Sequence, residues 1–144
     1  IYDAIVFSSI QFERGQDRRA LVLLTDGDDY KSRFEHTRAI KQARAGAIPV
    51  YIISLAGLDW LRPTVRRDDL ELIAKQTGGR VFYVESRDQL APAYGKIGAE
   101  LRSQYVLAFS SGSVLSDKDL ERIEVKVKRR GLEVRAVVAG HSVQ

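Results

Sequence analysis

The chain has 144 residues, 44% of them hydrophobic and 29% charged, which suits one folded domain and argues against disorder. It has no cysteine and only two histidines, His36 and His141, so disulfides, thiolate metal sites and a histidine-rich zinc site are excluded. A net charge of +4 leans mildly toward acidic partners, but a solvated surface with some excess arginine accounts for it without nucleic acid.

Residues 1–12 place apolar side chains at 1, 2, 5, 6, 10 and 12, a spacing that predicts a helix with one buried face. Gly15 is its natural stop. Ala20-Leu21-Val22-Leu23-Leu24 is a short apolar run between charge and Thr25-Asp26-Gly27. It predicts a strand covered on both faces, as in a parallel sheet flanked by helices. Ser32-Arg33-Phe34-Glu35 has the form of a capping box. The helix it opens would use Phe34, Ile40, Ala39, Ala43 and Ala45 as its core face and end at Gly46.

Residues 50–55 are the next buried strand, followed by a loop over 56–67 that holds Trp60 and Pro63. Asp68 or Asp69 can cap a helix that carries Leu70, Leu72, Ile73 and Ala74 and stops at Gly78-Gly79. Residues 80–84 form a third strand. Ser86-Arg87-Asp88-Gln89 is a second capping box, and Leu90, Tyr94, Ile97 and Leu101 line one face of the helix after it. Pro92 is tolerated there in the first turns. This alternation of helix and strand predicts an α/β fold with a mostly parallel open sheet.

The tail differs in style. Residues 105–109 read as a strand and 110–119 as a polar loop. Ile123, Val125 and Val127 alternate with charge, as do Leu132, Val134, Ala136 and Val138, with Arg130-Gly131 between the two runs. That pattern predicts an antiparallel hairpin with one buried face. The expected organisation is one domain over 1–144, with an α/β part over 1–104 and the strand and hairpin over 105–144.

The densest chemistry is Thr25-Asp26-Gly27-Asp28-Asp29, directly after the first strand. Ligands of open α/β sheets bind at the carboxyl ends of the strands. Carboxylates and a hydroxyl there are hard oxygen donors for Mg²⁺, Mn²⁺ or Ca²⁺. Gly27 permits the tight turn that lets them converge. The plainer reading is an acidic turn that caps the helix at Ser32 and nothing more.

Residues 18–29, Arg-Arg-Ala-Leu-Val-Leu-Leu-Thr-Asp-Gly-Asp-Asp, resemble the fourth strand and following loop of a von Willebrand factor A domain, and more closely the bacterial subgroup of acidobacterial VWFA-related domains. The helix at Ile1-Tyr2-Asp3-Ala4-Ile5, the strand over 49–55, the turn Thr77-Gly78-Gly79-Arg80-Val81-Phe82 and the tail segments over 100–107 and 123–127 are similar in order. The resemblance implies a Rossmann-like fold. It also implies a metal-ion-dependent adhesion site whose ion is held by DxSxS on the first strand, by a threonine before the third helix, and by the aspartate of TDG. Only the last has a counterpart here, Asp26; no DxSxS occurs in the chain. The threonine would lie just before Ile1. With methionine absent, the expectation is the C-terminal part of such a domain.

One carboxylate does not make a tight Mg²⁺ site, because Mg²⁺ surrenders its waters reluctantly. The expectation is therefore a partial site at Asp26 without bound ion in this chain, and Mg²⁺ or Mn²⁺ in the complete domain. Asp28 and Asp29 would serve as weak or outer ligands. The implied function is a protein- or ligand-interaction module, not an enzyme, with an unknown protein partner. Loss of the first strand would also expose the edge of Leu21, Val22, Leu23 and Leu24, inviting self-association.

Two rivals stand beside this: a Mg²⁺-dependent phosphoryl-transfer enzyme using Asp26, Asp28 and Asp29, and a structural self-assembly fragment with no metal role. The first lacks a glycine-rich phosphate loop. The basic run Lys126, Lys128, Arg129, Arg130 and Arg135 reads as a solvated face rather than a nucleic-acid surface, since no aromatic residues interleave with it. Trp60 reads as a cover for the core's end and His36 as an exposed helix position, and with no GxSxG elbow hydrolysis has no support. No apolar run approaches the roughly 20 residues of a membrane span. The chain shows no signal peptide, and the resemblance suggests a secreted or cell-envelope protein.

Overall fold

A computed structural model describes residues 1–12, 18–55, 67–107, 109, 115–116, 119–120, 122–129, 131–132 and 134–138. The element order is α1 (Tyr2–Phe12), β1 (Leu21–Thr25), α2 (His36–Ala45), β2 (Val50–Ser54), α3 (Arg67–Gln76), β3 (Val81–Tyr83), a 3-10 turn (Arg87–Gln89) and α4 (Leu90–Arg102). The three strands form a parallel sheet in the order β1-β2-β3. Leu21 pairs with Val50 and Thr25 with Ser54, and on the other side Ile52 pairs with Val81.

All five residues of β2 are buried, as a central strand sandwiched between helices requires. Val50 and Ile52 face a core built by Tyr2, Ile5 and Val6 of α1, Ala39, Ile40 and Ala43 of α2, and Leu70, Ile73 and Ala74 of α3. Tyr51 and Ile53 face the opposite layer, where Val84 meets Ala93 and Ile97 of α4. Each large aliphatic buried this way stabilises the fold by about 1.5–3 kcal/mol.

Strand β1 does not share that double cover. Leu21 and Leu23 pack on the three-helix layer, whereas Val22 and Leu24 are 37% and 46% exposed on the other face. The predicted burial on both faces thus fails for β1, because α4 lies over β2 and β3 and no described helix covers β1 there.

Thr77 ties α3 to the start of β2. Its hydroxyl donates to the Ile73 carbonyl at 2.7 Å and accepts from the Val50 amide at 3.1 Å. Gly79 lies so close to β2 that a Cβ there would sit 1.9 Å from the Val50 carbonyl oxygen.

Several local expectations are corrected. Helix α2 begins at His36, with Glu35 as its N-cap and no side-chain bond to the free amides, so Ser32 does not cap it. Phe34 lies before that helix, its ring edge-on to Phe7 at 6.2 Å, and Ala45 is exposed. In α4 the inward position is Ala93, while Tyr94 is 49% exposed. Gly15, Trp60 and Pro63 lie outside the described residues.

The C-terminal hairpin is not shown: no strand is assigned among the described residues beyond α4. Ile123 and Val125 are still half-buried between exposed Glu124 and Lys126, and Gly131 takes a left-handed φ of 80°. The tail is nevertheless held to the domain. Arg135 reaches Glu100 of α4 at 2.8 Å, and Glu100 also pairs with Arg80 at 3.3 Å. The backbone of Ala136 and Val137 passes Gly78 so closely that a Cβ there would come within 3.0 Å of it.

Candidate functional site

The candidate loop leaves the carboxyl end of β1. Thr25 is buried in the strand; its carbonyl accepts from the Leu55 amide at 2.7 Å, and its hydroxyl accepts from the Gly27 amide at 3.1 Å. The turn runs through Gly27 at φ 99°, a region a side chain would resist. Asp26, between them, is exposed, and its Oδ1 accepts from the Asp28 amide at 3.3 Å.

The three aspartates diverge. Asp28 accepts a hydrogen bond from the Tyr30 hydroxyl. Asp29 turns inward, its side chain only 4% exposed. Its Oδ1 accepts from the Ser32 amide at 2.9 Å, and its Oδ2 from the Tyr2 amide at 3.1 Å. Burial alone would raise the Asp29 carboxyl. Hydrogen bonds from the Ser32 hydroxyl and amide, the Tyr2 amide and the chain's first nitrogen outweigh it and hold the group well below the usual carboxylate range.

Asp29 therefore caps α1, since Tyr2 carries one of the amides that a helix start leaves without an internal partner. Ser32 joins it: its hydroxyl accepts from the Asp3 amide at 3.2 Å. Asp3 returns the exchange, accepting from the Arg33 amide at 2.9 Å and the Phe34 amide at 3.0 Å. Tyr2 also reaches α3 and α2, donating its hydroxyl to Asp69 at 2.7 Å and setting its ring edge-on to His36 at 6.1 Å.

Among the described residues, no group of three or more His, Asp or Glu side chains is arranged to hold a metal ion. The carboxylates are aimed at separate partners, so the residues present do not fit a divalent ion by themselves. Residues outside the sequence-predicted set also shape the loop: Asp3, Ser32 and Tyr30. Asp3 and Ser32 meet across some thirty positions of chain, a pairing no local pattern announces.

Residues 4–96 match the von Willebrand factor type A domain family. The chain belongs to that family. Its three parallel strands between helical layers are the Rossmann-like arrangement of a von Willebrand factor A (VWA) domain. Such domains are generally interaction modules rather than enzymes and typically bind Mg²⁺ or Mn²⁺. No curated protein matches the chain. A solved structure described as an uncharacterized membrane spanning protein from Vibrio fischeri is similar at 25% identity and a TM-score of 0.52. The match covers 65% of this chain and 52% of that one, so the chain spans about half the length of that protein. No helix among the described residues is long and apolar enough to cross a membrane.

Proposed function

We propose that the chain serves as part of a VWA-type protein-interaction module in which Asp26 meets the partner, through a divalent ion when the other ligands of the site are supplied from outside these residues. The observation that carries this reading is the place of Asp26. It is an exposed carboxylate on a tight turn at the carboxyl end of a parallel strand, where open α/β sheets bind their ligands.

Calorimetric titration with Mg²⁺ and Mn²⁺, with Asp26→Ala as control, tests it. On this reading the chain alone binds more weakly than roughly 0.1 mM, because Mg²⁺ needs several fixed oxygens. Addition of a segment that carries those other ligands creates binding that Asp26→Ala removes. Binding that survives Asp26→Ala would sink the reading.

The phosphoryl-transfer alternative asks Asp26, Asp28 and Asp29 to converge, and their separate hydrogen bonds give it less support. Self-association through Leu21, Val22, Leu23 and Leu24 belongs to the proposal. Its support is that β1 is an outer strand of the described sheet with Val22 and Leu24 uncovered. A cell-envelope or secreted setting is proposed with it, to be checked by fractionation of cells that produce the protein.

A further inference from the structure

We propose that Asp29, Ser32 and Asp3 form a two-way clamp that makes the amino end of α1 and the Asp26 loop move as one body. The three are positioning residues: none of them is the group that meets the partner. The consequence for partner binding rests on the reading of Asp26 given above; the clamp itself does not.

The loop is pinned at both ends. At its entry, Thr25 is locked into the sheet by the Leu55 amide and holds the Gly27 amide through its hydroxyl. At its exit, Asp29 is fixed to Tyr2 of α1 by one carboxylate oxygen and to Ser32 by the other. Only residues 26–28 lie between the pins. Asp26 therefore has little freedom of its own, and its position follows that of α1.

The exchange runs both ways, which distinguishes it from an ordinary cap. The loop supplies acceptors to the α1 amides at Tyr2 and Asp3, and α1 supplies the Asp3 carboxylate to the loop amides at Arg33 and Phe34. Hydrogen bonds to ionised carboxylates are about twice as strong as neutral ones, and two of the three acceptors here are carboxylates. Separating helix from loop breaks all of these bonds together, while a displacement of α1 that keeps them carries the loop along. Tyr2 extends the arm to α3 through Asp69. A load applied to the amino ends of α1 or α3 is thus delivered to the turn that holds Asp26.

Amide hydrogen exchange of the whole chain, followed by NMR without metal or partner, tests the clamp. Asp29→Ala removes the acceptors of the Tyr2 and Ser32 amides directly. The clamp predicts that exchange also rises, by about tenfold or more, at Arg33 and Phe34, which bond to Asp3, and at Asp28, which bonds to Asp26. Amides of β2 stay protected. Asp29→Asn keeps one acceptor oxygen and gives an intermediate rise at the same distant amides. A rise confined to Tyr2 and Ser32 overturns the proposal.

If Asp29→Ala loses protection in β2 and so fails to fold, Ser32→Ala supplies the same test with a neutral group. Increased exchange at Arg33 and Phe34 as well as Asp3 supports the clamp, and increase at Asp3 alone overturns it. Calorimetry on Asp26→Ala reads a different quantity, so failure of the clamp leaves the interaction reading standing, and failure of that reading leaves the clamp.

Discussion

Two glycines of this chain sit in opposite circumstances. A Cβ at Gly79 would lie 1.9 Å from the Val50 carbonyl oxygen and 2.5 Å from its carbon, both backbone atoms of the central strand that cannot step aside. A Cβ at Gly95, within α4, would meet nothing within 4 Å. Gly79→Ala is therefore expected to destabilise the domain by about 3 kcal/mol or more, the upper end of overpacking costs. Gly95→Ala is expected to stabilise it by about 0.5–1 kcal/mol by removing the backbone entropy that a helical glycine retains in the unfolded chain. Denaturant midpoints of the two variants check the pair; equal and small effects would mean that the turn between α3 and β3 does not press against β2 at Gly79. The sequence marks Gly79 as part of a helix stop, and only the packing shows how differently the two positions tolerate a side chain.

Helix α2 starts without help from its own side chains. Glu35 has the extended backbone of an N-cap, φ −88° and ψ 163°, yet makes no side-chain bond to the amides that follow. Ser or Asp at this position reaches the N2 or N3 amide, so Glu35→Ser should stabilise the chain by about 1 kcal/mol, read as an increase in the urea midpoint with an unchanged slope. No increase would place the true helix start elsewhere. The same stretch shows what local patterns can and cannot specify. Ser32 and Glu35 have capping-box spacing, but Ser32 serves the start of α1, a partner 29 positions earlier in the chain. The apolar runs of β1 and β2 were legible because parallel strands need them. That β1 is bare on one face was not, because an apolar run reads the same whether or not a helix lies above it. In α4 the spacing of Leu90, Tyr94, Ile97 and Leu101 suits a helix face as well as that of Leu90, Ala93, Ile97 and Leu101 does. The small Ala93 is buried there because the helix packs directly over Tyr51 and Ile53. Of the candidate site, the turn and its aspartates were legible; the inward rotation of Asp29 depends on α1 and was not.

At the scale of the molecule, the amino end of the strands and the β1 edge of the sheet are finished differently. At the amino end of the strands, Arg135 and Glu100 hold the tail against the domain, and the Tyr51 hydroxyl beside them is raised, chiefly by burial and then by the Glu100 charge. The side of β1 has no such cover among the described residues: its hydrogen-bonding edge borders no other strand, and Val22 and Leu24 add exposed apolar surface next to it. An unprotected edge of five residues with apolar neighbours recruits another strand, since each added pairing satisfies backbone groups and buries side chains together. Sedimentation velocity across a range of chain concentrations should therefore show dimers or larger species whose fraction rises with concentration. Leu24→Lys should reduce that fraction without unfolding the chain, because position 24 faces outward and a charge on an edge strand opposes pairing. If the unaltered chain remains a monomer at millimolar concentration, the edge is covered by something other than a second copy. If Leu24→Lys associates as strongly as the unaltered chain, the contact lies elsewhere, and the exposed residues after α4 (Tyr105, Val106, Leu107 and Phe109) become the next surface to alter.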